Sequence, residues 1–517
     1  MKVCILAAGR GTRSTVFGGH LHKALLPLGN RAVISHILDQ FPGDTTFVVA
    51  LGHQAAQVQG YLELAHGERS IEFVTVDNYD GPGSGPGYSL WCCRDQLREP
   101  FWFTACDTLV TDPIPPVGQG WLGVSRVDDP RLWCTVEVDA AGQVTRLHYK
   151  TPEGTRLAFN GIAAVVEPAL FWSGLRKTQL SKGEWQINSG LEALIPTGLE
   201  TKALGWRDTG TDENYLKTLA HYPKNFTFAG KSTDATYLID DTILKFFPDP
   251  EVARRRYTRG LAHRGLFAPV VGHHDQFFSY RFVPGRLVAD QLDGRRTMAL
   301  LEWLEDRFWR NVDVEPNRFR SMCRSFYVDK SLGRLSAYLE ARDLLAEPPL
   351  RYQGRELASV STALQDMAFR FEDRAIPSTF HGDLHADNVI ATQGEEPFCL
   401  IDWRQDFGGD LKVGDRYYDL AKLLHTLTFS VEAMEQRGFE IARDPDGSIE
   451  AFNERSPQLI EAEEAFRTFC RERYDLPHVE AVEALTFINM APLYDRELGD
   501  YLYHLGRVRL HRAWERE

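Results

Sequence analysis

The chain contains no run of 18 apolar residues, so its sequence offers no membrane-spanning helix. Its amino-terminal apolar stretch, inside Met1-Lys2-Val3-Cys4-Ile5-Leu6-Ala7-Ala8-Gly9, is too short for a signal peptide, and a cytoplasmic protein with no membrane partner is expected. Positive charge is also scarce. Against 72 Asp and Glu stand 58 Lys and Arg, and the formal charge of −14 repels a phosphate backbone, which argues against nucleic acid as a partner. The eight cysteines form no CxxC pair and no Cys/His cluster of metal-ligand spacing, so neither a disulfide framework nor a zinc site is expected. No repeat is visible, and the one biased segment, Gly81-Pro82-Gly83-Ser84-Gly85-Pro86-Gly87, is too short for a linker. What is present is core material: 43% apolar residues, with 11 Trp and 30 Phe, in 517 residues, more than one domain usually holds.

Short apolar runs recur through the first 220 residues, at Val3–Leu6, Thr46–Ala50, Ile71–Val76, Phe101–Ala105, Trp121–Val124 and Phe159–Val166. Helix-like stretches such as Ala32–Gln40 and Tyr88–Leu97 separate several of them, and that alternation predicts an α/β domain with a largely parallel sheet. Near residues 220–226 the texture changes. Phe226–Ala229, Tyr237–Ile239 and Ile243–Phe247 read as an antiparallel meander, and from about residue 290 long amphipathic helices follow, interrupted by strand-like segments at Phe380–Ile390 and Phe398–Trp403. Two domains are therefore expected, 1–223 and 224–517.

The first apolar run leads into Ala7-Ala8-Gly9-Arg10-Gly11-Thr12-Arg13, where small residues let backbone N–H groups approach an anion and Arg13 adds charge. A dinucleotide fingerprint would need a third glycine where Ser14 stands. Ten residues after Arg13, Lys23 can return a second cation to the same phosphates. This loop, with His22-Lys23-Ala24-Leu25-Leu26-Pro27, resembles that of the nucleotidyltransferases that join an NTP to a phosphorylated small molecule and release pyrophosphate. The resemblance covers roughly residues 1–220 and implies a Rossmann-like domain with a mixed sheet. It makes Arg13 and Lys23 catalytic, Ala8, Gly9, Gly11 and Gly85 nucleotide-binding, and Asp107 (in Phe103–Leu109) and Asp208 (in Trp206–Thr211) ligands of Mg²⁺. Two carboxylates from distant positions suit a reaction in which charge builds on both the attacking phosphate and the leaving pyrophosphate. Gly81–Gly87 with Tyr88-Ser89-Leu90-Trp91 falls where the family meets the base, and Lys150 and Asn160-Gly161 fall near the acceptor phosphate. His22-Lys23 in place of the Pro-Lys of most sugar-phosphate members, together with the Tyr88-Ser89-Leu90 segment, is more similar to cytidylyltransferases acting on phosphocholine-like compounds, which points to CTP.

In the second half, Phe380-His381-Gly382-Asp383-Leu384-His385-Ala386-Asp387-Asn388 contains H-x-D-x-x-x-x-N, and Leu400-Ile401-Asp402-Trp403 follows as an apolar run ending in an acid. Phosphoryl transfer to a hydroxyl needs one aspartate near the acceptor proton and an asparagine and second aspartate for Mg²⁺. These segments resemble the aminoglycoside phosphotransferase and choline kinase family over roughly residues 224–517, which implies a bilobal, protein-kinase-like α+β domain. Asp383 becomes the catalytic base, Asn388 and Asp402 the metal ligands, His381 a brace, and Asp419 a structural residue. Lys245, mid-strand in Ile243–Phe247, is the expected ATP-phosphate contact, with Glu251 as its acidic partner, and Tyr280–Arg286 resembles the adenine-binding hinge. Gly230-Lys231-Ser232 is not a P-loop: the first glycine is missing and a strand follows, so Gly230–Asp234 is read as the phosphate-covering turn.

Among the remaining residues, His385, Asp387, Asp406 and Asp410 read as solvated loop residues and Cys92-Cys93 as a buried helical pair. His273-His274-Asp275 reads as a solvent turn. Trp403, Phe407, Tyr417, Tyr418, Tyr494, Tyr501 and Tyr503 read as core before cation cage. The expectation is a bifunctional enzyme using ATP and CTP with Mg²⁺: kinase of a small alcohol, choline-like or a polyol, then cytidylyltransferase, yielding a CDP-linked donor of the kind that decorates bacterial surface polysaccharides. A sugar in place of the alcohol, giving a nucleotide sugar, is the first alternative; a silent, regulatory nucleotide-binding domain is the second. Nothing in the sequence sets the oligomeric state, and a homo-oligomer is compatible with it.

Overall fold

The computed structural model describes residues 1–11, 19–152, 154–177, 180, 183–223 and 234–516. Arg13, Ser14 and the covering turn as far as Thr233 lie outside the described residues, as does the Phe226–Ala229 run. The chain divides into two compact units, Met1–Arg254 with Val271–Phe282, and Arg255–Val270 with Val283–Glu517.

The first unit is built on a mixed sheet. Lys2–Ala7 lies at its centre, parallel to Thr46–Leu51 on one side and Phe101–Ala105 on the other; Ile71–Thr75 extends the parallel part. Leu157–Val165 then runs antiparallel to Phe101–Ala105 and carries the sheet on to Cys134–Val138 and Val144–Tyr149. Alternate residues of the central strands feed opposite cores: Val3, Ile5, Phe47 and Val49 on one face, Cys4, Val48, Phe101 and Phe103 on the other. A strand buried on both faces must be apolar throughout, which is why these segments stand out in the sequence as unbroken runs. The helix expected at Tyr88–Leu97 spans Pro86–Cys92, with proline in its first turn and Cys93 at its end. Cys92 and Cys93 are free thiols, the second buried.

The antiparallel sheet Ala235–Ile239, Thr242–Phe246, Phe277–Arg281 and Val270–His274 starts the kinase-like part of the chain. Ala235, Tyr237, Ile239, Leu244, Phe246 and Phe277 join the same apolar core as Val3 and Tyr61, so packing assigns this sheet to the first unit although motif similarity begins there. His273 and His274 differ from the expected solvent turn. They end a strand, and the turn begins at Asp275 with φ +48°. His274 Nε2 lies 3.3 Å from Glu63 Oε2, and its ring packs so closely on Gly60 that a Cβ there would meet Nδ1 at 2.4 Å.

The second unit is mostly helical. Leu476–Met490 is buried nearly all round between neighbours that include Arg416–Thr428 and Arg496–Trp514. Phe380–Ile390 is not the strand its apolar residues suggested. Only Val389–Ala391 is a strand, after a tight turn at Ala386–Asn388, because the His381 and Gly382 N–H groups are taken by the Asp419 carboxylate instead of a neighbouring strand. Val389–Ala391 and Phe398–Leu400 form a hairpin that Arg286–Leu287 extends. Among the described residues no helix is long and apolar enough to cross a membrane.

Candidate active sites

In the first unit, the turn Lys23–Leu25 presents the returning lysine. His22 caps it: Nδ1 accepts the Ala24 N–H at 3.2 Å, while the His22 N–H donates to Gln57 Oε1 at 2.9 Å and Gln57 Nε2 donates to the His20 carbonyl at 2.8 Å. Burial pushes the imidazole down to about 3, so the residue beside Lys23 is neutral. Ala24 and Leu25 are buried, which turns Lys23 toward the sheet, where its Nζ lies 2.8 Å from Asp107 Oδ2. Gly11 closes over the lysine stem. Its φ is +62°, and a Cβ would stand 3.1 Å from Lys23 Cδ. At Gly9 a Cβ would meet nothing within 4 Å among the described residues, which leaves room for a ligand to approach the backbone there. Ala8 is buried and its carbonyl accepts the His53 N–H at 2.9 Å.

Asp107 and Asp208, 101 positions apart in sequence, meet through a short ladder. Trp206–Asp208 pairs antiparallel with Thr108–Val110, Asp208 opposite Thr108, and the Thr209 N–H donates to the Asp107 carbonyl at 3.0 Å. Asp208 Oδ1 takes the Gly210 N–H at 3.0 Å and Oδ2 the Asn214 amide at 2.5 Å. Thr108 Oγ1 donates to the Asn160 carbonyl at 3.0 Å, which brings the expected Asn160-Gly161 position to the same ladder; Lys150 stands in a left-handed conformation at the end of its strand. Two carboxylates carried on paired backbone segments, one of them beside a lysine, fit Mg²⁺ held partly by protein and partly by nucleotide phosphates and water. Among the described residues no group of three or more His, Cys, Asp or Glu forms an all-protein cage.

The glycine-rich segment has a packing role that its composition hid. Gly85, at φ +122°, would drive a Cβ to 2.6 Å from the Trp185 carbonyl, and the Gly83 and Gly87 N–H groups donate to the carbonyls of Gly183 and Trp185. Beside it lies a concavity of about 380 Å³ lined by Arg10, His53, Asp77, Tyr79 and Asp80. Arg10 pairs with Asp80 at 2.8 Å, and the Tyr88 hydroxyl donates to Asp77 Oδ1 at 2.7 Å, which together with the Asn78 N–H lowers the Asp77 carboxyl. None of its acidic or aromatic wall was singled out from the sequence.

Lys245 occupies the middle of Thr242–Phe246, buried, opposite Thr236 and Phe278 on the two flanking strands. Glu251 forms a two-pronged ion pair with Arg254, at 2.7 and 2.6 Å. Both belong to the first unit, whereas the HGD loop belongs to the second.

In that loop several backbone supports are identifiable. Asp419 accepts the His381 and Gly382 N–H groups, each at 2.7 Å, and the Trp309 indole at 3.1 Å; burial raises its carboxyl to about 6. His381 accepts the Asp383 N–H on Nδ1 and donates from Nε2 to the Ile401 carbonyl at 2.8 Å, a neutral ring that burial pushes down to about 3. Arg259, 1% exposed, bonds the carbonyls of Phe380, His381, Arg404 and Leu411 and lies 3.8 Å over the Phe380 ring; burial lowers it to about 9. Asn388 donates Nδ2 to the Asp383 carbonyl at 2.9 Å and to His385 Nε2 at 3.0 Å, leaving Oδ1 as the amide atom able to meet a cation. The hairpin carries Asp402 to the same end as Asn388, through the Ile401 N–H to Asn388 carbonyl bond at 3.0 Å, and Asp402 adopts φ +58°. The amide oxygen and the carboxylate fit Mg²⁺.

Asp383 meets Lys422, whose Nζ is 2.8 Å from Oδ1. Burial alone would raise the Asp383 carboxyl, but Lys422, with His385 behind it, overrides that and holds it well below the usual carboxylate range. Asp406 and Asp410 are not merely solvated: they pair with Arg255 and Arg318 at 3.0 and 2.5 Å. Asp387 accepts from His385 Nδ1 at 3.3 Å. Of the seven aromatic residues weighed as a cage, Trp403, Phe407, Tyr417, Tyr418, Tyr501 and Tyr503 are buried; Tyr494 is 40% exposed. Lys422 and Arg259 carry no motif, and only their tertiary contacts mark them.

Residues 3–114 match the family described as MobA-like NTP transferase domain, and residues 228–452 match the Phosphotransferase enzyme family. The chain thus joins a nucleotidyltransferase domain to a phosphotransferase domain, both transferase classes. It is 21% identical over 231 residues to the bifunctional protein GlmU of Methanococcus maripaludis, covering 43% of this chain and 54% of that protein. It is 23% identical over 241 residues to the "Probable mannose-1-phosphate guanylyltransferase 1" of Oryza sativa subsp. japonica, covering 43% and 64%. The chain spans about half the length of the first of these relatives. A solved structure of UDP-glucose pyrophosphorylase complexed with UDP-glucose is 17% identical, with a TM-score of 0.37 over 43% of this chain and 97% of that one.

Proposed function

We propose that the protein is a bifunctional kinase and nucleotidyltransferase that activates a small hydroxyl compound in two consecutive steps. In the first, the acceptor oxygen bonds to the ATP γ-phosphorus, the β–γ bridging bond breaks, ADP leaves, and the hydroxyl proton passes to Asp383. In the second, an oxygen of the new phosphate bonds to the α-phosphorus of an NTP, the α–β bridging bond breaks, and pyrophosphate leaves. Lys23 and Arg13 serve the phosphates of the second step, with Gly9 and Gly11 letting backbone approach them and Lys245 serving the ATP of the first. Asp107 with Asp208, and Asn388 with Asp402, would hold Mg²⁺, which when bound neutralises phosphate charge. The observation that carries this reading is the presence on one chain of the Lys23–Asp107–Asp208 ladder and the Asp383–Asn388–Asp402 hairpin, whose reactions feed one another.

CTP as the second nucleotide, and a choline-like amino alcohol or a polyol as acceptor, are supported by the His22-Lys23 variant of the loop together with Tyr88-Ser89-Leu90; the CDP-linked product would be a donor for surface polysaccharide. The second reading makes the acceptor a sugar and the product a nucleotide sugar, and the printed name of the mannose-1-phosphate guanylyltransferase relative favours it. Mass spectrometry after incubation with Mg²⁺, ATP and CTP, UTP or GTP against small alcohols and sugars decides between them. An NDP-linked product that requires ATP supports the two-step reading, and its nucleotide and acceptor choose the variant. Absence of both a phosphorylated and a nucleotidylated product across the panel speaks against it.

A further inference from the structure

Lys422 belongs to no motif, yet it reaches the centre of the phosphotransfer half. It follows Asp419 by three residues on the Arg416–Thr428 helix, so the two side chains share a face. Asp419 takes the backbone of the HGD loop, and Lys422 takes the side chain of Asp383 at 2.8 Å. One helix face therefore fixes both the path of the loop and the direction of its carboxylate.

The lysine is 8% exposed, and burial alone would favour the neutral amine; Asp383 counters this and keeps the ammonium. An ammonium has three N–H donors. Asp383 occupies one, and among the described residues no second carboxylate lies within ion-pair distance of Lys422. The other titratable groups around the pair are His385, His381, His425, Tyr418 and Tyr494, of which the buried His425 is held neutral and bonds the Lys422 carbonyl with Nδ1. A buried cation with donors to spare, touching the carboxylate that must face the attacking hydroxyl, is close to where negative charge gathers on the transferred group.

We propose that Lys422 is a catalytic residue of the phosphotransfer half, its remaining N–H groups holding the equatorial oxygens of the phosphoryl group in transit. The assignment rests on the kinase reading above. Lys422 keeps its protons throughout; the acceptor proton goes to Asp383, the acceptor oxygen–phosphorus bond forms, and the bond to the ADP oxygen breaks. The planar, charge-spread phosphoryl group is the species such a donor stabilises.

The test needs no knowledge of the acceptor. Mg²⁺-ADP is titrated calorimetrically into the full-length protein in a Lys23→Ala, Asp107→Ala background, which removes the cation and a metal ligand from the other nucleotide site, with and without aluminium fluoride as a planar phosphoryl mimic. With Lys422 present, fluoride tightens ADP binding. In Lys422→Met that tightening falls by about 10- to 100-fold while the affinity for Mg²⁺-ADP alone stays within about twofold, and Lys422→Arg restores part of it. Equal tightening in parent and Lys422→Met overturns the assignment. Loss of Mg²⁺-ADP binding itself in both Lys422 variants but not the parent also overturns it, in favour of a role in the fold. If the parent fails to bind Mg²⁺-ADP, the kinase reading falls, and this assignment with it.

Discussion

The Tyr237 hydroxyl donates to the Leu25 carbonyl at 2.6 Å, two residues beyond the Lys23 that pairs with Asp107. Tyr237 is fully buried, its ring 5.0 Å from that of Tyr61, and the next residue, Leu238, donates its N–H to the Asn30 carbonyl at 2.7 Å. The kinase-like sheet thereby holds the segment that presents the nucleotidyltransferase lysine. Tyr237→Phe keeps the ring but leaves the Leu25 carbonyl without its donor in a dry core, at a cost of about 1–3 kcal/mol. The expected outcome is a lower unfolding midpoint, measured by differential scanning calorimetry, together with slower nucleotidyl transfer.

The carboxylates divide the chemistry. Asp107→Asn or Asp208→Asn should lower nucleotidyl transfer from a supplied phosphorylated acceptor by about 100-fold or more and leave ATP-dependent phosphorylation unchanged. Asp383→Asn should do the reverse. An equimolar mixture of the two variants restores the coupled product if the intermediate diffuses between molecules, as liquid chromatography of the mixture would show.

Gly11 and Gly9 separate strain from ligand contact. Gly11→Ala forces a side chain into φ +62° and against the Lys23 stem, costing about 1–2 kcal/mol and displacing the lysine. At Gly9 the added methyl group meets no atom of the described residues within 4 Å, so Gly9→Ala should leave the unfolding midpoint unmoved and raise the KM for the NTP. Paired melting curves and initial-rate measurements check both.

Acid should loosen the fold. Burial holds His22, His381 and His478 down to about 3, and His66, His263 and His504 down to about 4, against 6.5 for a free imidazole. Between those values the unfolded chain binds protons that the folded chain refuses, so the stability these residues contribute is present above pH 6.5 and lost as pH falls toward 4. Asp415 and Asp419, raised to about 6 by burial, act in the opposite direction between 3.8 and 6 but are outnumbered. A lower unfolding midpoint at pH 5 than at pH 7.5, with net proton uptake on unfolding, is expected from scanning calorimetry in buffers of different ionisation enthalpy.

Much of this was legible along the chain. Val3–Leu6, Thr46–Ala50 and Phe101–Ala105 became central strands because burial on both faces leaves no polar positions to break a run. Lys23, Asp107, Asp208, Asp383, Asn388 and Asp402 could be singled out because the short segments that carry them resemble the motifs of two families, and such motifs are local in sequence. The same local logic failed at Phe380–Ile390, where an apolar loop is held by one distant carboxylate, and it gave no sign that the backbone at Gly85 also packs against the Trp185 carbonyl.

The sequence by itself determined the two chemistries, because turn residues, strand-ending acids and their spacing are short-range properties. Which groups touch was decided only by the tertiary structure. Lys422 reads as an ordinary position in an amphipathic helix until the helix packs against the HGD loop, and Arg259 as a surface charge until four carbonyls surround it. Nothing around residue 237 announces that its hydroxyl will hold Leu25, 212 positions earlier. Contacts between residues so far apart depend on how sheets and helices pack, and no local pattern records that.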